Sequence, residues 1–284
     1  MTPTHQRGAR SASMVRGLRL VPGWRGGPGR WVRGAAGVVA FLLAAEAVSR
    51  FGIISTSVLP AISTVLARAA GLAASGHFLG DFGATLEAWA VAMAITVAAG
   101  VPLGVLLGSV PGVRAATRVL VEFLRPIPSI ALIPLVALLL GAGLRMNVTL
   151  ITYAALWPVL FGTIYGLDDV DPLAKETLRA FGFGPLQVIR RVSLPNAGPF
   201  IATGIRLASS IAIILNISTG IITGRINGNG IGAFIADANS GGGNNDLVLA
   251  AALWAGILGV ALNGALAWAE RRAFRWHHAY RVTS

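Results

Sequence analysis

The chain of 284 residues is 55% hydrophobic and only 12% charged, and its mean hydropathy is +0.71. A water-soluble domain cannot cover so much apolar surface, which indicates a protein of the lipid bilayer. The absence of cysteine excludes disulfides, thiolate metal sites and thiol nucleophiles. The net charge of +12 comes mainly from arginines beside apolar segments, without interleaved aromatic residues, which favours membrane orientation over nucleic-acid binding.

The N-terminal residues 1–33 precede the first apolar segment and contain seven arginines. They are rich in Gly, Ser and Pro and lack helical periodicity, so we expect a flexible cytoplasmic tail whose arginines meet anionic lipid headgroups. The apolar block that follows is longer than the hydrophobic region of a signal peptide. No small-residue cleavage site precedes Arg50, so the block is predicted to be a retained signal-anchor helix.

Six apolar runs have about the length that an α-helix needs to cross the hydrocarbon of a bilayer. They cover residues 34–49, 84–108, 119–142, 148–166, 207–224 and 247–268. The third run contains Pro126, Pro128 and Pro134, and the fourth contains Pro158, so we expect kinks or breaks in both. Residues 58–80 are apolar but interrupted by proline and glycines, and they are predicted to form an interfacial helix on the outer face.

Six spans place both chain ends on one side of the membrane. The segments on that side contain 17 of the 23 Lys and Arg residues, and the opposite segments contain 4. Because positive residues concentrate in cytoplasmic segments, both termini are predicted to be cytoplasmic. The remaining two, Arg125 and Arg206, fall at predicted helix ends near the cytoplasmic face, where long side chains reach the interface. The sequence therefore predicts an all-α integral membrane protein with six transmembrane helices.

Two patterns inside the spans concern packing and a solute path. The repeat Gly100, Gly104, Gly108 places three glycines on one helix face and predicts close helix packing. A translocation path needs polar groups inside the bundle, and our candidates are Ser129, Asn216, Ser218 and Thr219, with Thr149, Thr152, Ser209 and Ser210 as further polar positions. An amide in mid-helix costs free energy unless it is paired or faces a wet cavity, so Asn216 either lines the path or joins two helices.

Catalytic chemistry is not expected in this chain. The only lysine, Lys175, follows no glycine-rich loop, so the chain has no phosphate-binding loop for ATP. His277 and His278 are adjacent and His77 is alone, which is not metal-ligand spacing, so no metal site is expected. No clustered acid and base residues suggest a membrane-embedded enzyme.

The stretch ETLRAFGFGPLQVIRRVSLP, residues 176–195, interrupts the apolar blocks with two predicted amphipathic helices, 172–181 and 185–193. Asp171 and Pro172 suit the start of the first helix, and Gly182 suits a left-handed position at its end. Leu194 and Pro195 are expected to end the second helix before the fifth span. From physics alone, the pair is either a rigid knob that docks into a partner's groove or a solvated loop.

The same stretch resembles the EAA loop of binding-protein-dependent ABC importer permeases, through Glu176, Gly182, Val192, Leu194 and Pro195. In that family the loop forms the coupling helices that dock on a cytoplasmic ATPase. The resemblance implies the ATPase-coupling residues Glu176, Arg179, Gly182, Val192, Leu194 and Pro195. The two alanines of the family pattern are Thr177 and Leu178 here, which alters the surface offered to the ATPase.

Other stretches resemble one branch of that family, the sulfonate, nitrate and taurine permeases. LRPIPSIALIPL at 124–135 is similar to the branch's third-helix motif, and RWHHAY at 275–280 is similar to its terminal motif. Glu87 stands where the branch commonly has a basic residue, and Thr223 stands where an acidic residue is usual. The resemblance implies a small anionic solute, such as a sulfonate, taurine, nitrate or an aromatic carboxylate.

The resemblance also implies an assembly in a bacterial inner (plasma) membrane. A second permease copy, identical in a homodimer, completes the pathway, two ATPase chains bind ATP and Mg²⁺, and an extracytoplasmic solute-binding protein delivers the solute. The implied domains are the tail 1–33, a permease domain 34–274 with its coupling loop at about 167–199, and a cytoplasmic tail 275–284. The competing hypothesis is a stand-alone secondary transporter. Many such carriers have intramembrane ionisable residues and repeated halves, and neither feature is found in this sequence.

Overall fold

The computed structural model describes residues 29–52, 55, 58–227, 229–242 and 244–274. These residues form the α-helices α1 Gly29–Arg50, α2 Ile62–Ala73, α3 Gly76–Ser109, α4 Pro111–Leu124, α5 Ile133–Leu140, α6 Leu144–Asp168, α7 Pro172–Ala180, α8 Pro185–Val188, α9 Leu194–Thr223, α10 Ile231–Ser240 and α11 Asn245–Ala273. Two 3-10 helices, Ser129–Leu132 and Gly224–Asn227, and the π-helix Ile189–Ser193 connect neighbours. No strand occurs in these ranges, so the predicted all-α class is confirmed.

Five helical stretches in the described ranges are long and apolar enough to cross a membrane. They are Val32–Arg50, Gly76–Ser109, Leu144–Asp168, Pro185–Ile226 and Asn245–Ala273. A sixth candidate combines α4 with Ser129–Leu140, and its two parts are bent by 80°. The break, between Leu124 and Ser129, contains Pro126 and Pro128, which lack backbone donors, so the predicted interruption of the third run is confirmed. By contrast, α6 continues through Pro158 as one helix.

The glycine face of α3 packs on α6 in the same chain direction. A methyl group added to Gly104 would lie 2.5 Å from Thr163 Cβ, and one added to Gly108 would lie 2.8 Å from Leu167 Cδ1. Gly100 approaches α6 in the same way one turn earlier. The predicted role of these glycines in packing is therefore confirmed, because no larger residue permits this approach.

The parallel direction of α3 and α6 decides how the bent segment runs. Since these helices are parallel, the end of α3 at Ser109 and the start of α6 at Leu144 lie at opposite ends of the bundle. The chain between them, α4 to α5, must pass from one end to the other. This connection fits one broken span, which brings the candidate crossings to six.

Helix α9 packs antiparallel to α6 and completes the main core. A methyl group added to Gly204 would lie 2.6 Å from the carbonyl oxygen of Pro158, and one added to Gly166 would lie 2.9 Å from Ala197 Cβ. The buried side chains of this core come from α3, α5, α6 and α9, and include Met93, Ile133, Met146, Leu150, Ile151, Val159 and Leu215. Small residues at the α6–α9 contact thus bring these two backbones together.

A second core lies where α2, α10 and α11 meet the start of α3. Phe78 and Ile231 are buried there, and Trp254 Nε1 donates a hydrogen bond to Ala69 O at 2.9 Å. Helix α2 has 12 residues, too few to cross a bilayer, so a separate short helix within residues 58–80 is confirmed. Residues 76–80 of that segment belong to α3, which begins at Gly76, eight residues earlier than the predicted span.

Candidate functional site

The first helix of the segment between α6 and α9 forms as predicted. Asp171 Oδ1 accepts a hydrogen bond from Leu173 N at 2.9 Å, and Pro172 occupies the first turn of α7. Gly182 follows the helix with φ of +83°, and Phe183 N donates to Leu178 O at 3.1 Å. A side chain at Gly182 would be strained in this left-handed conformation, so the glycine fixes the turn after α7.

The second helix does not end at Leu194 and Pro195, and that prediction is wrong. Gly184 N donates to Gln187 Oε1 at 3.0 Å at the start of α8, and the π-helix Ile189–Ser193 then joins α8 directly to α9. The π-helical turn offers a different backbone pairing around Pro195, so the missing donor of this proline does not stop the helix. As a result, α8 is the beginning of a continuous helical stretch, Pro185–Ile226.

The predicted coupling residues occupy different environments in this segment. Glu176 and Arg179 are exposed on α7, Val192 and Leu194 are half-buried in the π-helix and the start of α9, and Pro195 is exposed. Three large apolar side chains are also exposed: Leu173 at 67%, Phe181 at 78% and Leu186 at 78%. We define Pro172–Pro195 as the coupling surface, a name that refers to the role predicted for these residues. Sequence analysis missed its exposed Phe181, which lies one residue before the predicted Gly182.

Polar contacts at the end of α6 involve the coupling surface and α4. Lys175 Nζ of α7 donates to Leu167 O at 3.0 Å in the last turn of α6. The guanidinium of Arg114 at the start of α4 forms two hydrogen bonds with Asp168 of α6, at 3.0 and 3.2 Å. The lysine satisfies a carbonyl of the last turn of α6 and so ties α7 to the end of that helix.

The Asn216 side chain joins three helices. It accepts a hydrogen bond from Asn147 Nδ2 of α6 at 2.7 Å and donates to Thr85 O of α3 at 2.9 Å. Asn216 is 6% exposed, so these bonds replace those that water would make. The structure therefore shows that this amide joins helices, which was one of the two alternatives predicted for Asn216. A role in the translocation path stays a prediction.

The other predicted pathway residues are spread over the fold. Ser129 is half-buried at the first position of the 3-10 helix between α4 and α5. Ser218 is half-buried on α9, whereas Thr219 is fully buried there. The hydroxyl oxygen of Thr219 has no hydrogen-bond partner among the described residues. No hydrogen bond in the described part of the chain joins Ser129 to the three α9 residues, so the four do not form one polar cluster.

Sequence analysis did not predict the buried carboxylate of Asp81 in α3. Asp81 is 2% exposed, and its Oδ1 accepts a hydrogen bond from Gly230 N at 2.9 Å. One turn later, Thr85 Oγ1 accepts from Ile231 N at 2.9 Å. Asp81 and Thr85 thus bind the start of α10 to α3, close to Asn216. The four-residue spacing of Asp81 and Thr85 was the available signal in the sequence. Their partners, Gly230 and Ile231, lie about 150 positions later in the chain.

Charged side chains surround Asp81 at the same end of the bundle. Arg225 Nη2 lies 3.5 Å from Asp81 Oδ2 and also contacts His77, and its Nε pairs with Asp237. His77 Nδ1 lies 3.5 Å from the same oxygen of Asp81. These contacts join α3, the 3-10 helix Gly224–Asn227 and α10. In the described ranges, no three His, Cys, Asp or Glu side chains are arranged to hold a metal ion; His277 and His278 lie outside them.

The two arginines predicted near the cytoplasmic face both contact the protein. Arg206 Nη1 donates to Glu270 Oε2 of α11 at 2.8 Å. The Arg125 guanidinium lies over the ring of Phe161 of α6, 4.6 Å from its centroid. Arg206 therefore ties α9 to α11, and Arg125 packs its charge on an aromatic face at the break between α4 and α5.

Five helical stretches long and apolar enough to cross a membrane, a sixth broken candidate and a buried polar network are the features of a multi-span membrane protein. Residues 100–275 match the family described as "Binding-protein-dependent transport system inner membrane component". This match covers more than half of the chain. The chain therefore belongs to this family of ABC transporter permeases, and the resemblance based on the EAA loop is confirmed. It is an inner membrane component.

Several relatives are permeases with different named solutes. The nitrate import permease protein NrtB of Leptolyngbya laminosa is 27% identical over 142 residues, which are 50% of this chain and 50% of that protein. The bicarbonate transport system permease protein CmpB of Synechococcus elongatus is 29% identical, over 55% of each chain. This chain thus matches about half the length of both. The putative aliphatic sulfonates transport permease protein SsuC of Bacillus subtilis is 26% identical over 89% of this chain and 92% of its own length.

Solved structures share the fold. A chain of the inward-facing MetNI methionine ABC transporter superimposes with a TM-score of 0.59 at 22% identity, covering 69% of this chain and 95% of that one. A chain of a bacterial ABC transporter involved in the import of the acidic polysaccharide alginate gives a TM-score of 0.58 at 15% identity, covering 86% and 99%. At these identities the likeness establishes the permease fold alone.

Proposed function

We propose that this chain is the permease subunit of an ATP-driven importer and forms the translocation pathway for a small solute. The observation that carries the proposal is the coupling surface, a two-helix segment between α6 and α9 of an ABC permease fold. It exposes the large apolar side chains of Leu173, Phe181 and Leu186. Exposed large apolar side chains on one segment are typical of a docking site for a partner protein.

The proposed partner is an ATPase chain, present in two copies, that binds ATP and Mg²⁺. The chain itself lacks the Gly-x-x-x-x-Gly-Lys-Ser/Thr loop that would bind the phosphates, so the motor is another polypeptide. Glu176, Arg179 and Gly182 occupy the α7 side of the proposed contact. Val192, Leu194 and Pro195 occupy the α8–α9 side.

The way in which the coupling surface is attached supports a mechanical role. On one side, Lys175 Nζ bonds to Leu167 O at 3.0 Å, which ties α7 to α6. On the other side, α8 continues into α9 without a break. The 30 residues of α9 extend about 45 Å at 1.5 Å per residue, which is enough to cross the bilayer. ATPase closure would therefore move α6 and α9 together, and α9 would carry this motion across the membrane.

The proposed orientation places both termini and the coupling surface in the cytoplasm. It follows from the six crossings together with the concentration of Lys and Arg in the segments on that side. Residues 34–274 then form the permease domain, with the coupling loop at about 167–199 and cytoplasmic tails on both sides of the domain. The buried network around Asp81 lies at the opposite, outer end, where an extracytoplasmic solute-binding protein would dock.

The proposed solute is a small organic or inorganic anion. The support comes from relatives named for nitrate, bicarbonate and aliphatic sulfonates. A second copy of this chain is proposed to complete the pathway as a homodimer. Two copies would present two coupling surfaces, one for each ATPase chain.

A pull-down from solubilised membranes tests the proposal with a matched pair of glycine variants. Neither Gly182 nor Gly184 has another atom within 4 Å of an added methyl group, but only Gly182 has a positive φ. Gly182→Ala is therefore expected to distort the coupling surface at a cost of about 1–2 kcal/mol, whereas Gly184→Ala leaves it intact. The intact chain and Gly184→Ala are expected to retain an ATPase that Gly182→Ala and Glu176→Ala lose or fail to couple to transport.

Membrane insertion of each variant provides the control, measured as the monodisperse fraction after solubilisation. If no ATPase accompanies the intact chain under any nucleotide condition, and Gly182→Ala and Glu176→Ala transport solute normally, the importer assignment fails. A stand-alone secondary transporter would then be the function to pursue.

A further inference from the structure

A groove of about 980 Å³ opens between α6 and α9 on the coupling side of the bundle. Its walls include the aromatic side chains of Trp157, Phe161, Tyr165 and Phe200, and Arg125 reaches it from the break between α4 and α5. Leu207 and other apolar residues of α9 complete the opposite wall. Such a volume, with apolar walls and few polar groups, is typical of a site for a small organic molecule.

The positive charge in this groove has no ion-pair partner among the described residues. Of the described residues that line the groove, Arg125 is the one cation, and none carries a carboxylate. Within the described ranges, no Asp or Glu lies within ion-pair distance of Arg125. The guanidinium instead lies 4.6 Å from the centroid of the Phe161 ring. A cation–π contact leaves the guanidinium N–H groups available, so the groove is complementary to an anion.

The depth of the Arg125 guanidinium in the membrane distinguishes a solute site from a site for a lipid headgroup. Phe161 precedes the end of α6 at Asp168 by seven residues, or about 10 Å at 1.5 Å per residue. The 25 residues of α6 extend about 37 Å, which exceeds the hydrocarbon core of about 30 Å by only a few ångströms at each end. If α6 crosses the bilayer as proposed, the Arg125 guanidinium lies about 10 Å from the coupling end of this helix, deeper than the interfacial position predicted for Arg125 from the sequence. Intramembrane charges that face a cavity mark the paths of solutes.

We propose that this groove is a binding site on the inner half of the translocation pathway, and that it takes an organic anion with an aromatic or branched apolar body. Arg125 binds the anionic group, and the aromatic walls pack on the body. A small inorganic anion such as nitrate would leave most of the groove empty and would gain nothing from the aromatic side chains. The inference rests on the proposed function, because it assigns the class of solute within the same permease.

Equilibrium binding of radiolabelled benzenesulfonate to the purified full-length chain in phosphatidylcholine nanodiscs tests the site without any ATPase. Arg125→Gln is expected to weaken binding at least tenfold, and Arg125→Lys, which keeps the charge, to retain most of it. The matched control is Arg118→Gln on α4, since Arg118 pairs with Glu122 at 2.8 Å outside the groove and its loss is expected to leave binding unchanged. Nitrate is expected to displace benzenesulfonate only at concentrations at least tenfold higher.

Three results would overturn the proposal. They are unchanged binding in Arg125→Gln, displacement by nitrate at equal concentration, and loss of benzenesulfonate binding when phosphatidylglycerol is added to the nanodiscs. The last result would identify the groove as a lipid site. The binding assay contains the permease alone, so a negative binding result does not contradict an association with the ATPase in the pull-down. Failure of the pull-down together with normal benzenesulfonate binding would reject the importer while leaving the site in place.

Discussion

The close contact of α6 and α9 makes a sharp prediction for Gly204→Ala. The added methyl group would lie 2.6 Å from the carbonyl oxygen of Pro158 and 3.3 Å from Val159 Cα. Carbon and oxygen atoms normally approach to about 3.3 Å, so the two backbones must separate by about 0.7 Å. Both obstructing atoms belong to the backbone, and no side-chain rotation relieves the clash.

The expected free-energy change is the balance of two effects. Overpacking in a tight contact typically costs about 1–3 kcal/mol, and an upper value applies here because the neighbour is backbone. Replacing glycine by alanine within a helix returns about 1 kcal/mol. The net destabilisation is therefore about 1–2 kcal/mol, which predicts a lower temperature for loss of the monodisperse peak in fluorescence-detected size exclusion.

Gly256→Ala is the matched control for this measurement. Gly256 lies within α11, and no other atom lies within 4 Å of an added methyl group. The same substitution there gains helix propensity without a clash, so its midpoint temperature is expected to stay equal or to rise. The reasoning is refuted if Gly204→Ala proves as stable as Gly256→Ala.

Two further substitutions test the polar contacts. Asn216→Leu removes both hydrogen bonds of the amide and leaves the Asn147 amide without its partner on α9. We expect a loss of about 1–2 kcal/mol in the same assay, with Ser218→Ala unchanged. Equal midpoints for the two variants would contradict the interhelical role. Asp171→Ala removes the hydrogen bond to Leu173 N and is expected to speed amide exchange in α7 about fivefold, whereas Asp169→Ala is not. Equal exchange in both Asp variants would show that the cap does not hold α7.

Local features of the fold were predictable from the sequence. Apolar length located the five candidate spans and the bent sixth, because a helix that crosses the bilayer must pair its backbone groups internally. Prolines located the break between α4 and α5, and the Asp-Pro pair and Gly182 located both ends of α7. In each case, the deciding interaction lies within a few residues of the signal.

Features that depend on distant residues were not predictable in the same way. The buried position of Asp81 depends on Gly230, which no local pattern connects to it. The continuity of α8 with α9 depends on a π-helical turn that proline rules do not anticipate. Pro158 was expected to disturb α6, yet α6 remains one helix where Gly204 allows α9 to pack tightly against it.

The central claim is that the coupling surface docks on an ATPase, and site-specific cross-linking tests it directly. The chain contains no cysteine, so Leu186→Cys places a single thiol at an apolar side chain that is 78% exposed on this surface. Leu79→Cys, at a residue 51% exposed near the opposite end of the bundle, is the control. We predict that a thiol-to-amine cross-linker joins Leu186→Cys, but not Leu79→Cys, to a chain containing a Gly-x-x-x-x-Gly-Lys-Ser/Thr loop. Cross-linking of that chain from neither position, or equally from both, would contradict the account.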